Sequence, residues 1–456
     1  LTITALGDVI RPGTKRGLDF VLLDELRKRT SVNLKDILKF ALAEMLCNSL
    51  DKDSTEITID VQNEGSFNHV SIQDDGSKKL SLDEIKLILD FENKASSKRG
   101  LLRVSRGYLG NALKCIFGYS YALTESKGLS PPPIIIASGS YEYRICLKPN
   151  RIREVIESKI ETVERHDDGF TTFTVRFPKQ DEDCDPSILE DLIFATSMVN
   201  PSRKISYNLF GNEHGTLGSA EGSQDIRQET SVLWYEEKQF LSLFEDFLRV
   251  KPETKLKEFI ALFRGFTAKN IIWEILQNLN TGNHDCQANR CVQFFPTTFM
   301  KDLPASKVTQ LFNIMKAKTK PIAKRSIASV LGCVGEKTFE KIRERNGWER
   351  LKYVSMAAVK VEPSSFYLQT PSNRVEFPYL IELAVFDRQK DDMEGLKVYQ
   401  CVNFMASMED IFSRIYNINY HLGRVGITKE MPVTIVAHLV CPVLKWLNYG
   451  KSGLDE

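Results

Sequence analysis

The sequence predicts an α+β fold, on three observations. An apolar helical pattern from Leu34 runs straight into two alternating segments, Glu56–Val61 and His69–Ile72, a helix-then-hairpin order foreign to a doubly wound parallel sheet. More strand patterns follow at Pro133–Ala137, Tyr141–Leu147 and Thr171–Phe177, without the helix between each pair that parallel crossovers require. Helical spacing then fills the middle of the chain, and strands mixed with helices return in the last third. At 456 residues the chain suits two to three domains, which we expect at 1–205, 206–300 and 301–456.

In order, Pro12 and Gly13 precede a short helix or arm over Phe20–Arg29. Ser31 or Asn33 can cap the next helix. Its Leu42, Met45, Leu46 and Leu50 recur every three to four residues, so one side should be buried while Glu44 and Asn48, four apart, share another face. Asp51–Ser54 ends it, and Asn63–Gly65 turns the hairpin. Residues 81–92 read as an amphipathic helix capped by Ser81, with Leu82, Ile85, Leu89 and Phe91 inward. Another helix should start at Leu109 or Gly110 and reach Tyr119, and Asp185–Ser197 a further one. The polar, glycine-bearing stretch 208–230 reads as a loop or linker. Helices are expected over Trp234–Leu248, Leu256–Leu279, Ser306–Lys316 and Lys320–Arg345, then strands at Leu380–Phe386, Val398–Phe404 and Val433–Val440, with a helix at Met408–Tyr416.

Composition narrows the function classes. Hydrophobic residues make up 42% and charged residues 27%, ordinary for a globular protein, and the net charge of +1 provides no bulk attraction for nucleic acid. Contact with duplex DNA would need a local patch, and the densest basic stretch carries Lys316, Lys318, Lys320, Lys324, Arg325, Lys337, Lys341, Arg343 and Arg345. Nine scattered cysteines suit a reducing compartment. His284, Cys286 and Cys291 make at most half a zinc site. No apolar run is long enough to span a bilayer and no signal-like segment opens the chain, so we expect no membrane partner and a cytoplasmic, in a prokaryote nucleoid-associated, protein.

Three patterns carry chemistry. Glu44 can deprotonate a water, and the Asn48 carboxamide can ligate a magnesium ion that carries phosphate oxygens. Asp74 ends the second strand, where a carboxylate can accept from an exocyclic amino group such as adenine's, while Gly76 lets the base approach the backbone. Gly107 and Gly110, ahead of a helix and among Lys98, Arg103, Arg106 and Lys114, suit a lid whose backbone amides face phosphates. Thr171 or Thr172 could floor such a pocket, and Lys451, after Gly450, could reach a phosphate.

Taken together these segments resemble the GHKL ATPases and, within them, the B subunits of topoisomerase VI. Glu44, Asn48, Ser49, Leu50 and Asp51 match the family's helix motif, Asp74–Gly76 its adenine motif, Ser105–Gly110 its lid, and Gly169 with Thr171 its fourth motif. Leu331–Glu336, Pro378–Glu382, Val402–Phe404 and Gly450–Lys451 resemble landmarks of the B subunit's transducer domain. The likeness is weakest over 206–300, where the family has a helix-two-turn-helix module.

The resemblance implies a Bergerat α/β sandwich, a middle helical region and a C-terminal α/β transducer-like domain. It implies binding of ATP with Mg2+: Glu44 activating water, Asn48 holding magnesium, Asp74 reading adenine, Gly107, Gly110 and Asn111 wrapping phosphates, and Lys451 touching the γ-phosphate from another domain. It also implies an ATP-dependent homodimer closing on duplex DNA, with strand scission left to a tyrosine-bearing DNA-cleaving partner subunit. Two positions depart from the family pattern: Lys78 and Ala112 stand where glycines are usual. A stand-alone ATPase of DNA repair, compaction or defence, and a nucleotide-binding scaffold that does not hydrolyse, are the alternative expectations.

Overall fold

The structure, a computed structural model, describes residues 17–92, 100–105, 111–180, 185–218, 229–281, 293–362, 375–389, 394–408 and 418–444. The larger of two sheets has eight strands in the order β5-β4-β3-β6-β2-β1-β7-β8. They are β1 (Glu56–Glu64), β2 (Phe67–Asp74), β3 (Ile134–Ser138), β4 (Tyr141–Asn150), β5 (Val155–Glu164), β6 (Thr171–Pro178), β7 (Lys204–Leu209) and β8 (Asn212–Leu217). Only β1 and β7 run parallel; the other pairs are antiparallel.

Strand alternation decides which face is covered. Ile57, Ile59 and Val61 stand opposite Asp74, Ile72 and Val70, and all six side chains turn to the buried face. On that face lie α2 (Ile37–Leu50), α4 (Ala112–Ser126) and α5 (Pro186–Val199), packed on β2, β6 and β7 respectively. The short α1 (Leu23–Thr30) rests on α4, and α3 (Leu82–Ile88) opens with Ser81 and Glu84 forming a reciprocal cap.

The second sheet, ordered β12-β11-β13-β10-β9, is built from β9 (Arg350–Glu362), β10 (Val375–Asp387), β11 (Lys397–Val402), β12 (Met405–Ala406) and β13 (Val433–Val440). Against β9 and β10 pack α10 (Ile327–Leu331) and α11 (Glu336–Arg345). Between the sheets in sequence come α6 (Glu237–Val250), α7 (Leu256–Ile260), α8 (Lys269–Thr281) and α9 (Ala305–Lys318), and α12 (Ile418–Arg424) lies ahead of β13. Their core is aromatic: the Phe240 and Phe312 rings are 4.9 Å apart and Phe240 also meets Phe259 and Phe263. A continuous apolar cluster joins the first sheet and its helices to Leu331, Phe339, Phe386 and Met405 of the second.

Several expectations change. The α2 helix is buried almost all round, Glu44 included, because it lies between β2 on one side and α4 and α5 on the others. Leu82 is exposed, whereas Ile85, Leu89 and Phe91 point inward as expected. The stretch 208–230 begins with the β7–β8 hairpin, whose turn uses Phe210 and Gly211 at positive φ. Lys320–Arg345 is two helices, broken at Gly332 and Gly335, both at positive φ. The strands β5 and β9 were not foreseen. The helix expected at Met408–Tyr416, beyond its first residue, and the zinc-like residues His284, Cys286 and Cys291 lie outside the described residues. Among the described residues no helix is long and apolar enough to cross a membrane, and no cluster of three His, Cys, Asp or Glu could hold a metal.

Candidate active site

The register of three strands assembles the floor of the site. Asp74, last in β2, stands opposite Thr171, first in β6, which stands opposite Ser138, last in β3. All three are buried on the helix-facing side, and the Ser138 and Thr171 hydroxyls are 3.0 Å apart. Ser138 also accepts from the backbone N–H of Leu80 at 2.9 Å, so the row is tied to the loop after Asp74. This places Thr171, rather than Thr172, beside the carboxylate.

The turn beyond Asp74 is held from both flanks. Asp75 accepts from the Thr55 hydroxyl at 2.6 Å and from the backbone N–H groups of Thr55 and Glu56 at 2.7 and 2.9 Å. Burial works against its ionised form, but these hydrogen bonds prevail and keep the carboxyl below its ordinary range. Asp53 accepts from the Ser77 N–H at 2.9 Å. Gly76 is required for closeness: a Cβ there would sit 2.9 Å from Asp74 Oδ1. Lys79 donates to the carbonyls of Gly76 and Gly169, at 3.0 and 2.6 Å, bridging this turn to the one before β6.

From above, α2 closes the site. The Ser49 hydroxyl donates to Asp74 Oδ2 at 2.9 Å, fixing the last turn of α2 to the end of β2. Glu44 lies five residues earlier, roughly 7.5 Å along the axis at the usual helical rise. It is 2% exposed, and Asn48, one turn on along the helix, is half-buried. Asn111 is the residue before α4, later than the helix start the sequence suggested. It is buried, and its Nδ2 donates to no group among the described residues, so the amide is available to a ligand. Lys98, Gly107, Gly110 and Lys451 lie outside the described residues.

Of the motif residues behind the resemblance to the GHKL ATPases, Glu44, Asn48, Asp74, Gly76, Asn111, Gly169 and Thr171 are among those described. No family model matches the sequence, and no curated protein does. Among solved structures the chain is similar to the N-terminal domain of a DNA repair protein, with 10% identity and a TM-score of 0.40 over 94% of this chain and 90% of that one. It is also similar to the ATPase region of Saccharomyces cerevisiae topoisomerase II (11%, 0.36, 92% and 76%). The 43K ATPase domain of Thermus thermophilus gyrase B is another (9%, 0.32, 91% and 78%).

The sequence reading missed Lys52. Its Nζ donates to both oxygens of Asp74, at 3.0 and 2.7 Å. Its spacing from Glu44 and Asn48 carried no helical signal, because α2 ends at Leu50 and Lys52 follows in the turn, where only the fold brings it to Asp74. Arg103, expected beside the lid, is held by burial below the usual guanidinium range while Asp51 and Tyr235 act in the opposite sense. The basic cluster is less available than expected. Lys316 is buried, donates to the Tyr235 carbonyl at 3.1 Å, and is pushed by burial down to about 8. Lys318 pairs with Glu274, and Arg343 with Glu340 and Glu344.

Proposed function

We propose that the chain is a GHKL-type ATPase subunit that binds ATP with Mg2+ and dimerises on it as a clamp on duplex DNA, in the manner of a topoisomerase VI B subunit. The observation that carries the reading is the convergence of Asp74 and Thr171 with the last turn of the helix bearing Glu44 and Asn48, from strand ends and a helix terminus remote in sequence. The donor chemistry suits the ligand: an amide oxygen for a hard cation, a carboxylate and hydroxyl for a base edge, and a buried amide for phosphate. Magnesium, when bound, supplies positive charge to the phosphate oxygens, and Asn48 would hold it.

Glu44 takes the proton of the attacking water, and its burial shields that transfer from bulk solvent. Asp74 and Thr171 orient the base, with Gly76 allowing its close approach. Gly107, Gly110 and Lys98 of the lid, and Lys451 from the third unit (301–456), enter the proposal from the sequence. We carry forward 1–205 as the nucleotide unit and 206–300 as its helical connector. Cleavage would fall to a tyrosine-bearing partner subunit. Lys78 and Ala112 keep the non-hydrolysing scaffold in view as the second reading.

The test is hydrolysis of ATP by the whole chain with and without Mg2+, alongside sedimentation with a non-hydrolysable ATP analogue. Magnesium-dependent turnover and analogue-dependent dimers are expected. Binding without turnover would favour the scaffold, and no binding at all would end the nucleotide reading.

A further inference from the structure

The carboxylate assigned to the base is fully engaged. Asp74, 1% exposed, accepts from Lys52 on both oxygens, from Ser49 on Oδ2 at 2.9 Å and from the Gly76 N–H on Oδ1 at 3.2 Å. A carboxylate has about four acceptor directions, and these contacts use them. Ser49 and Gly76 are parts of the frame, whereas Lys52 is a flexible side chain with a fifth of its surface exposed.

A second observation concerns the space over Gly76. A Cβ built there would lie 3.0 Å from Lys52 Cδ and 3.3 Å from Lys52 Cβ, so the aliphatic stem of Lys52 fills the opening that the missing side chain leaves. The ammonium group also lies 5.9 Å from the centre of the Phe173 ring. Head and stem together cover the polar and the open part of the base floor.

We propose that Lys52 is a displaceable occupant of the base site and thereby the residue that sets nucleotide affinity and the discrimination between bases. The inference rests on the nucleotide reading of the same pocket. A base reaches Asp74 only in the fraction of molecules whose Lys52 has swung out toward solvent, and apparent affinity falls by that fraction. Because the displaced contact is to the base and not to phosphate, the penalty applies to nucleotides and nucleosides but not to a bare polyphosphate.

The experiment is calorimetric titration of the full chain with a non-hydrolysable ATP analogue, its guanine counterpart and tripolyphosphate. It compares the parent with Lys52→Met, Lys52→Ala and Lys52→Arg. Lys52→Met keeps the stem and loses the ion pair, and should bind the ATP analogue about tenfold tighter. Lys52→Ala should bind at least as tightly, with adenine preferred over guanine more strongly than in the parent. Lys52→Arg, which retains the pair with a bidentate group, should bind more weakly, and it answers the question should the neutral variants fail to fold. Tripolyphosphate affinity should stay the same throughout. Met and Ala variants that bind no tighter than a parent that does bind overturn the role of Lys52 and leave the nucleotide reading standing. A parent and variants that all ignore both nucleotides overturn both.

Discussion

Glu44 and Asp74 are both buried carboxylates, to which the proposed function gives different work. Asp74 is fixed from four directions at the sheet end, which suits recognition of a rigid base edge. Glu44 sits five residues before Ser49 on α2, about 7.5 Å along the axis from the turn that meets that floor. Glu44→Gln preserves shape and removes the proton acceptor. Turnover should fall by about 10²- to 10⁴-fold, the usual worth of a positioned general base. Affinity for a non-hydrolysable analogue should hold within about twofold, on the view that the base acts on water and not on the bound nucleotide. Parallel single-turnover and equilibrium-binding measurements separate the two quantities. Equal losses in both would assign Glu44 to binding.

At the level of elements, three segments that stood out in the sequence meet on one side chain. Glu382 of β10 accepts from the N–H groups of Val334 and Gly335 at 3.0 and 2.8 Å, from the Tyr353 hydroxyl at 2.8 Å, and pairs with His438 Nδ1 at 2.9 Å. His438 Nε2 in turn accepts from the Phe404 N–H at 3.1 Å, which assigns the ring proton to Nδ1. Burial opposes the charge on Glu382, but the hydrogen bond from His438 and the two backbone donors hold the carboxyl below its ordinary 4.5. A folded-state value below the unfolded one adds stability above about pH 4.5 that is lost as pH falls through the folded value. Glu382→Gln should therefore flatten the acid limb of a stability-against-pH curve and lower the melting temperature at neutral pH. Unfolding in urea at several pH values measures both. An unchanged acid limb would mean that other carboxylates set it.

The same elements show what a sequence can disclose. Strands with strict alternation, such as β1 and β6, and motif residues adjacent in the chain, such as Glu44 and Asn48, were legible because their signal is local. The strand β9 was not, since it is an edge strand with one covered face that mixes Leu351, Tyr353 and Ala357 with exposed Val354 and Met356. His438 and Lys52 were missed because their meaning arises only from long-range pairing, with Glu382 and Asp74 respectively. The basic stretch misled in part because linear charge density ignores burial and acidic neighbours. Exposed in that stretch are Lys320, Lys324 and Arg325, and a face of α11 on which Lys337, Lys341 and Arg345 recur every four residues. Reversing the three on α11 to Glu should lower the slope of log affinity for duplex DNA against log salt by about 2 to 3. An unaltered slope in fluorescence anisotropy would place any DNA contact elsewhere.

For the whole molecule, the proposed function raises the question of how a nucleotide at the first sheet would be felt at the second. The segment 100–105, which leads into the expected lid, is bonded to both neighbouring regions. The Leu102 N–H donates to the Tyr235 hydroxyl at 2.7 Å. The Ser105 carbonyl accepts from Asn403 Nδ2 at 3.1 Å, and the same amide spans to Cys441, donating to its carbonyl and accepting from its N–H, both at 2.8 Å. Asn403 adopts φ 48, a region that asparagine tolerates better than most residues, and Phe404 follows at φ 61. Asn200 of the first unit donates to the Phe404 carbonyl at 2.6 Å, so this turn is clasped from both sheets. A lid that orders over phosphates would thus bias the β11–β12 turn through one carboxamide. Asn403→Ala should reduce stability by about 1–3 kcal/mol, as expected when buried donors and acceptors lose a partner. Its sharper consequence is loss of coupling. In the parent, a non-hydrolysable ATP analogue should slow amide exchange at residues 401–406 and 438–441 as well as around the site. In Asn403→Ala the protection should stay at the site, with analogue affinity little changed. Protection that still spreads to the second sheet in the variant would show that the signal travels through the apolar cluster joining the two sheets.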